Sequence, residues 1–349
     1  MKGLVIWAHS KCRSTFDLYR EVMRQSPLPV RLVFWKDVLE SRIEQGFSST
    51  VFDAIPSVVI GDDLVAADRI LDETVGCVHV VAAYQVAEVM QHVMWIAKVR
   101  GDRVVVYSEA PCEMCLGMKG LVKRLYYRFV LPRRIRPVVA CADLILSQSG
   151  VMGIDRLERL GWSREKIVPF GYASPKLSFE ENDSRPQSST STSLHVLHLG
   201  SESAYRGVDI LEKAVRLAQR QGAMIELSKS GGALPISGLV AAIRAADIVV
   251  GCGLCEPWGM RINDAVLEGK PVIVSDGMGV AYMVEQEGCG LVVPRGDPVA
   301  LAKALERCAK DREFVKRLAS GAQRAAQRWS PESRAADFLR VVLGGDTRQ

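Results

Sequence analysis

The chain has 349 residues, of which 48% are hydrophobic and 24% are charged, and its formal net charge is +5. This profile is typical of a globular protein and excludes a disordered or fibrous chain, and the length favours two domains. The modest net charge and the lack of a recognisable binding module argue against a nucleic-acid partner.

Short runs rich in Val, Ile and Leu predict the strands of the first half of the chain. Amphipathic segments of helical length separate most of them. The runs are Gly3–Ala8, Val30–Trp35, Ser57–Ile60, Val75–Ala82, Val104–Tyr107 and Leu144–Ser147. This alternation predicts βαβ units in an α/β fold, with helices on both faces of a parallel sheet and a ligand crevice at the carboxyl ends of the strands.

The apolar start of the chain predicts a strand and not a signal peptide. Gly3–Ala8 is short, and charged residues follow it without a small-residue cleavage site. The longest apolar region, 75–99, is interrupted by polar residues such as His79 and Glu88, and so lacks the roughly 20 apolar residues of a membrane span. We therefore expect a soluble cytoplasmic protein that attaches at most to the surface of a membrane.

A basic segment follows the fifth predicted strand. Between Met114 and Ala142 the sequence has seven basic residues and no acidic residue. The basic residues are Lys119, Lys123, Arg124, Arg128, Arg133, Arg134 and Arg136. Tyrosine, phenylalanine and leucine are interleaved with them, which predicts a basic amphipathic helix that meets an anionic lipid surface or an acceptor. A solvated helix face is the alternative interpretation.

A polar segment divides the chain in two. Residues 178–193 are rich in serine and lack periodicity, which predicts a linker between Rossmann-like domains at 1–177 and 194–329. Strands of the second domain are predicted at His195–Leu199, Met224–Leu227, Ile248–Val250, Val272–Ser275 and Leu291–Val293. A helix in 330–349, with a proline in its first turn, should pack back on the N-terminal domain.

Nine cysteines without a secretion signal are expected to be reduced thiols. Two pairs, Cys112 with Cys115 and Cys252 with Cys255, have the two-residue spacing of a zinc half-site. The pairs lie much farther apart in the sequence than the halves of ordinary zinc modules. We therefore expect neither a metal nor a cofactor.

The densest chemical signal begins at Glu256, between a predicted strand and a predicted helix. Pro257 suits the first turn of that helix, and Gly259 allows a ligand to approach the backbone amides there. The free N–H groups and the positive dipole end of a helix form a phosphate site. An isolated glutamate at such a place is more often only a favourable partner of the helix dipole.

This segment resembles the donor-binding signature of glycosyltransferase family 4, the retaining glycosyl transferases group 1 of the GT-B fold. The family pattern is Glu, seven residues, Glu; here Glu256 matches the first acid and Asp264 takes the place of the second. The resemblance implies that Glu256 contacts hydroxyls of the donor sugar and that Asp264 holds the nucleotide ribose. It also implies two Rossmann-like domains that face a central cleft.

A second segment resembles the Gly-Arg…Lys-Gly stretch of this family, whose two cations hold the donor diphosphate. Arg206 fits the Lys position, whereas Ser201 replaces the Arg, and Lys229 is the nearest base that could substitute. The donor site implied by the resemblance consists of Gly200, Ser201, Arg206, Lys229, Glu256, Pro257, Trp258, Gly259, Met260 and Asp264.

The catalytic set implied by the resemblance is Glu256, Arg206 and Glu109. Family members often place a histidine after the fifth strand, and Glu109 stands near that place, where it could orient the acceptor hydroxyl or assist proton removal. A structural carboxylate is an equal alternative for Glu109, and His9 is a weaker candidate for the same task.

The resemblance implies a retaining hexosyltransferase that uses a UDP- or GDP-linked sugar and a glycan or lipid-linked acceptor, as in bacterial surface polysaccharide or lipopolysaccharide synthesis. The sequence has no Asp-x-Asp triplet, so we expect metal-independent transfer in which arginine and a helix terminus neutralise the leaving group. A sugar-nucleotide epimerase of the GT-B fold and a non-catalytic sugar-nucleotide-binding protein remain alternatives. The first strand is not followed by Gly-x-Gly-x-x-Gly, which argues against a dehydrogenase.

Overall fold

The computed structural model describes residues 1–38, 55–112, 117–174, 177, 192–201, 203–230, 234 and 236–344. The chain forms two compact units. Unit 1 comprises Met1–Pro111, Val122–Ala173 and Pro331–Gln349, and unit 2 comprises Cys112–Leu121 and Ser174–Ser330. Apart from its last two positions, the predicted linker at 178–193 lies outside the described residues.

Within the described residues, unit 1 has a parallel sheet of seven strands in the order β3-β2-β1-β4-β5-β6-β7. The strands are β1 (Leu4–Ser10), β2 (Val30–Lys36), β3 (Ser57–Val59), β4 (Val78–Val81), β5 (Arg103–Ser108), β6 (Leu144–Ser147) and β7 (Ile167–Pro169). The helices between these strands in the sequence are α1 (Arg13–Gln25), α2 (Leu64–Glu73), α3 (Glu88–Val99), α4 (Gly117–Leu125), a π-helical turn (Tyr126–Val130), α5 (Leu131–Val139) and α6 (Ile154–Arg159). The residues of α4 up to Leu121 are assigned to unit 2.

The central strand β1 is apolar along most of its length because both faces of the sheet are covered. Val5 and Trp7 belong to one buried cluster, whereas Leu4 and Ile6 belong to a second. Successive side chains of a strand point to opposite faces, so one short run of apolar residues supplies both cores. The same requirement explains why β4 and β6 are buried along their whole length.

The last helix of the chain, α13 (Pro331–Val342), completes the core of unit 1. It packs against α1 and inserts Phe338, whose ring lies 5.5 Å from that of Tyr107 and 6.0 Å from that of Phe170. Arg334 of the same helix donates a hydrogen bond of 2.7 Å to the carbonyl oxygen of Phe170. Apolar packing and a charged hydrogen bond thus attach the end of the chain to this unit.

The described part of unit 2 has a parallel five-stranded sheet in the order β12-β11-β10-β8-β9. Its strands are β8 (Leu194–Leu199), β9 (Ile225–Ser230), β10 (Ile248–Gly251), β11 (Val272–Ser275) and β12 (Gly290–Val293). The helices are α7 (Val208–Arg220), α8 (Ile236–Ala245), α9 (Met260–Leu267), α10 (Ala281–Glu287), α11 (Pro298–Lys310) and α12 (Arg312–Arg328).

The predicted α/β alternation is confirmed, with two local differences. The fourth predicted strand, Val75–Ala82, begins only at Val78, because Gly76 forms a turn with a φ of +84°. Strand β7 was not predicted, because Ile167–Pro169 is only three residues long and ends in proline. A run of this length has no periodicity that distinguishes it from a loop.

The packing of Phe338 predicts a large stability cost on truncation. Phe338→Ala should lower the free energy of unfolding of unit 1 by about 3–5 kcal/mol, because it opens a cavity between Tyr107 and Phe170. Phe129→Ala is a matched control, since that ring is 49% exposed, and it should change the free energy by less than about 0.5 kcal/mol. Amide hydrogen exchange of β1 and β5 measures both values, and equal effects would contradict the role given to α13.

Candidate functional site

A small cleft lies in unit 2. Its lining residues are His198, Leu199, Arg206, Gly251, Cys252, Gly253, Glu256, Gly259, Arg261, Ile262 and Met278. Strand β8 ends at Leu199 and β10 ends at Gly251, while α9 begins at Met260. The cleft therefore lies at the carboxyl ends of the strands, where open parallel sheets usually bind their ligands.

Backbone hydrogen bonds fix the loop that carries Glu256. The amide of Leu254 donates to the carbonyl oxygen of Tyr205 at 2.8 Å, and the amide of Glu256 donates to that of Gly277 at 2.9 Å. A Cβ atom at Gly277 would lie 2.5 Å from the carbonyl oxygen of Gly253, so only glycine permits this approach. The carboxyl group is therefore carried by a loop that neighbouring segments hold on two sides.

Glu256 forms an ion pair with Arg206 inside the cleft. The guanidinium Nη1 lies 3.2 Å from Oε1 of the carboxylate, and the two side chains are 25% and 13% exposed. Burial raises the pKa of the Glu256 carboxyl, and the charge and hydrogen bond of Arg206 oppose this rise. Arg206 Nε is buried without a hydrogen-bond partner in the described part of the chain.

Two glycines place the Arg206 side chain. Gly207 adopts a left-handed conformation with a φ of +68°, and a Cβ atom there would clash with the carbonyl oxygen of Cys252. Gly200 has a φ of +136°, and a Cβ atom there would lie 3.2 Å from Nη1 of Arg206. The backbone after β8 thus passes close beside the guanidinium, and larger residues would displace it.

Gly259 performs a similar task at the start of α9. Its φ is +110°, and a Cβ atom would lie 2.6 Å from Cε of Met278, which also lines the cleft. The amides of Ile262 and Asn263 donate to the Gly259 carbonyl oxygen at 3.0 and 3.1 Å, so the helix begins directly at this glycine. The first turn of α9 therefore faces the cleft, as the sequence predicts.

The cations near the cleft differ from those implied by the resemblance. Lys229, expected to replace the missing base, pairs with Glu212 at 2.7 Å and does not line the cleft. Ser201 is exposed, and its hydroxyl lies 2.9 Å from that of Ser203. Arg261, in the first turn of α9, does line the cleft. Arg261 lies within the segment that resembles the donor-binding signature, and this position is the sequence feature that could have identified it.

Other predicted donor residues support the loop or the helix without lining the cleft. The Trp258 ring is buried; its Nε1 donates to Asn263 Oδ1 at 3.1 Å, and the ring lies 5.7 Å from that of Trp329. Asp264 is 7% exposed on α9, with Oδ2 3.7 Å from Nη1 of Arg261. The structure thus gives Trp258 a packing environment and places Asp264 beside a cation of the cleft.

The other two predicted donor residues, Pro257 and Met260, lie close to Gly259 in the sequence. Pro257 is buried, and Met260, the first residue of α9, is partly exposed. Neither side chain lines the cleft. His198, at the end of β8, does line it and was not predicted from the sequence. The sequence feature that could have identified His198 is its position at the end of a predicted strand, because the carboxyl ends of parallel strands face the crevice.

Glu109 belongs to unit 1, where it follows β5. The hydroxyl of Tyr172 donates to Glu109 Oε1 at 2.8 Å, and burial together with this carboxylate raises the pKa of Tyr172 well above its ordinary value. His9 is partly buried, with its ring 5.3 Å from that of Trp35. Burial is the main cause that lowers the pKa of the His9 imidazole, and the charge of Lys36 adds to this effect.

The expectation of reduced cysteines is wrong for Cys112 and Cys255, which form a disulfide within unit 2. Their 143-residue separation hid this contact from sequence reasoning. Cys255 directly precedes Glu256, and the bond therefore adds a covalent attachment to the loop.

The other cysteines form no zinc site in the part of the chain that the structure covers. Cys252 is a buried thiol, and burial raises its pKa to about 12. Cys115 lies outside the described residues. Among those residues, no group of three or more His, Cys, Asp or Glu side chains could hold a metal ion.

The basic segment lies on α4, the π-helical turn and α5, and the four residues predicted to meet a membrane or acceptor lie on the first two. Lys119, Arg124 and Arg128 are exposed, and Lys123 is partly exposed. Lys123 Nζ lies 5.6 Å from the centroid of the Tyr127 ring. The structure therefore presents these four cations at the surface.

Two parallel sheets with interleaved helices define the GT-B class, as predicted. The structure of HepE from Anabaena, in complex with UDP and glucose, covers 98% of this chain and 100% of that chain, with a TM-score of 0.63 and 14% identity. The lipopolysaccharide outer core galactosyltransferase WaaB covers 98% of this chain and 99% of that chain, with a TM-score of 0.64 and 12% identity. At these identities the likeness establishes the fold.

Residues 231–325 match the family model for glycosyl transferases group 1, which confirms the predicted resemblance. The D-inositol 3-phosphate glycosyltransferase of Salinispora tropica is 36% identical over 103 residues. That match covers 30% of this chain and only 21% of the relative. The family segment contains Glu256 and Asp264, whereas Arg206 precedes it.

The close approach at Gly207 predicts a test of the site's scaffold. Gly207→Ala should lower the stability of unit 2 by roughly 3 kcal/mol, because left-handed strain adds to the clash with Cys252. Gly222→Ala is the matched control: it also has a positive φ, but a Cβ atom there meets nothing within 4 Å. It should cost about 1 kcal/mol. Amide exchange of β8 and β10 measures both, and a cost at Gly207 no larger than the control would refute the assigned contact.

Proposed function

We propose that this chain is a retaining glycosyltransferase that moves a hexose from a nucleotide-diphosphate-sugar to an acceptor hydroxyl. The observation that carries the proposal is the ion pair of Glu256 and Arg206 in the unit 2 cleft, beside a segment of the glycosyl transferases group 1 family. A carboxylate accepts hydrogen bonds from sugar hydroxyls, and a guanidinium donates to phosphate oxygens. The pair therefore fits the two halves of such a donor.

Arg206 and Arg261 are the proposed cations for the diphosphate. Both line the cleft, whereas Lys229 is engaged by Glu212 on the surface. The guanidinium group suits this task because its planar array of donors matches phosphate oxygens. Arg261 would thus supply the positive charge that is missing at Ser201.

Cleavage of the donor places negative charge on the departing nucleotide diphosphate. Preorganised arginines and the N-terminus of α9 stabilise that charge without waiting for solvent to reorganise. For this reason we propose that transfer needs no divalent metal. The acceptor hydroxyl attacks from the face that the diphosphate leaves, so the anomeric configuration is retained.

The acids have separate tasks in this proposal. Glu256 holds hydroxyls of the transferring sugar while positive charge develops at its anomeric carbon. Asp264 holds the nucleotide ribose. Glu109, oriented by the hydroxyl of Tyr172, orients the acceptor hydroxyl or receives its proton.

Two of the similar solved structures support the proposed donor and acceptor. HepE was solved with UDP and glucose, which supports a UDP-linked donor, and a GDP-linked donor is the second choice. WaaB is a lipopolysaccharide galactosyltransferase, which supports an acceptor of surface polysaccharide or lipopolysaccharide synthesis. We propose a glycan or lipid-linked acceptor, used on the cytoplasmic side of the membrane.

One experiment separates this proposal from its alternatives. The full chain is incubated with a panel of UDP- and GDP-sugars, with and without lipid extract and with and without EDTA. Release of nucleotide diphosphate that increases with extract and persists in EDTA supports metal-independent transfer. Interconversion of the sugar without extract would indicate an epimerase, and binding without turnover would indicate a sugar-nucleotide-binding protein.

The different tasks of the two acids predict different kinetic effects. Glu256→Gln should lower kcat by about 10²–10³, because its contact strengthens in the transition state. Asp264→Asn should mainly raise KM, because contacts to the ribose are the same in both states. Asp264→Glu, which restores the family residue, should be tolerated. Full turnover of Glu256→Gln at saturating donor would contradict the assignment, as would unchanged nucleotide-diphosphate affinity in Asp264→Asn.

The proposal that Arg261, and not Lys229, binds the diphosphate predicts that substitutions of these two residues affect nucleotide-diphosphate affinity differently. Arg261→Gln should weaken nucleotide-diphosphate binding by roughly tenfold or more, because it removes a charge-assisted contact to phosphate. Lys229→Gln removes the same charge outside the cleft and should change the affinity by less than about twofold. Isothermal titration with UDP and GDP measures both. The reverse order of effects would return the role to Lys229.

A further inference from the structure

Helix α4 exposes an apolar stripe to solvent. Met118, Leu121, Val122 and Leu125 are 45–75% exposed. At about 100° per residue these four positions fall within an arc of roughly 100°, so they form one continuous stripe. The buried residue of the helix is Gly120, which lies on roughly the opposite side. An ordinary surface helix has the reverse arrangement, with its apolar face buried.

The π-helical turn continues this surface. Phe129 and Val130 are 49% and 52% exposed. Tyr126 and Tyr127 are partly buried and pack against the core of unit 1, which fixes the turn on the protein. The exposed apolar side chains of 118–130 are therefore held in place by the fold.

Positive charge borders the stripe on both sides. By the same helical geometry, Lys119 lies towards one edge and Arg124 towards the other, with Arg128 in the next turn, whereas Lys123 lies nearer the side of Gly120. None of the four forms an ion pair with a carboxylate among the described residues. The cations are therefore available to phosphate groups.

We infer that this docking surface, residues 118–130, lies on an anionic lipid bilayer. The apolar stripe enters the boundary between headgroups and acyl chains, and the flanking cations contact lipid phosphates. A polar glycan or an acidic groove ligand would satisfy the charges but would leave the apolar side chains in water. No described helix is long and apolar enough to cross a membrane, so the surface lies on the bilayer and does not span it.

The inference does not depend on the chemistry at Glu256, although it would bring the proposed active site to a lipid-linked acceptor. It is tested with the full chain by co-flotation with vesicles of phosphatidylcholine alone and of phosphatidylcholine mixed with phosphatidylglycerol, whose headgroup makes the surface anionic. Nucleotide binding and circular dichroism are measured on the same samples as controls of folding.

Three variants separate the contributions of charge and apolar contact. The charge variant is Lys119→Gln, Lys123→Gln and Arg124→Gln. The apolar variant is Leu121→Ser, Val122→Ser and Leu125→Ser. The matched control removes three exposed charges from α12, whose apolar face is buried: Lys316→Gln, Arg317→Gln and Arg324→Gln.

The wild type should bind anionic vesicles and not neutral ones. The charge variant should bind on the order of 100-fold more weakly, at roughly fivefold per charge. The apolar variant should bind at least tenfold more weakly, while the α12 control should bind like the wild type. Wild-type binding that the apolar variant retains would overturn the inference, as would no binding of the wild type to anionic vesicles. A charge variant whose only defect is a higher acceptor KM would instead identify an acceptor groove.

Discussion

The surrounding backbone of unit 2 is arranged to hold the ion pair of Arg206 and Glu256. Both groups are largely removed from water, and each would be costly to bury alone. The pair persists because the backbone on both sides approaches closely, which Gly207 and Gly277 permit. Burial raises the pKa of Glu256 against the opposing charge of Arg206, so the site holds a carboxylate whose ionisation depends on its partner.

Residues that do not line the cleft stabilise the loop that carries Glu256. Trp258 packs against Trp329, and Trp329 Nε1 donates to Glu287 at 3.0 Å, which connects the loop to α10 and α12. The disulfide of Cys255 attaches the same loop covalently to Cys112. Such supporting contacts hold a functional side chain in one geometry before any ligand arrives.

A preorganised active site acts on a large acceptor only when that acceptor is brought to it. The outward apolar stripe of α4 is stable in water only at a cost, since exposed patches of this sort usually mark an interaction surface. In the proposed attachment, its flanking cations contact an anionic surface. The proposed chemistry in unit 2 and the proposed attachment through 118–130 use different residues, so each can be altered without the other.

Local patterns in the sequence were sufficient for most strands of both sheets, because apolar runs of strand length encode burial directly. The family resemblance pointed to Glu256, which lines the cleft. Strand β7 was missed because three residues carry no period. Only the tertiary structure decided that Arg261 and not Lys229 lines the cleft, that Trp258 is a core residue, and that Cys112 meets Cys255. Each of these depends on contacts between distant segments, and such contacts leave no local pattern in the chain.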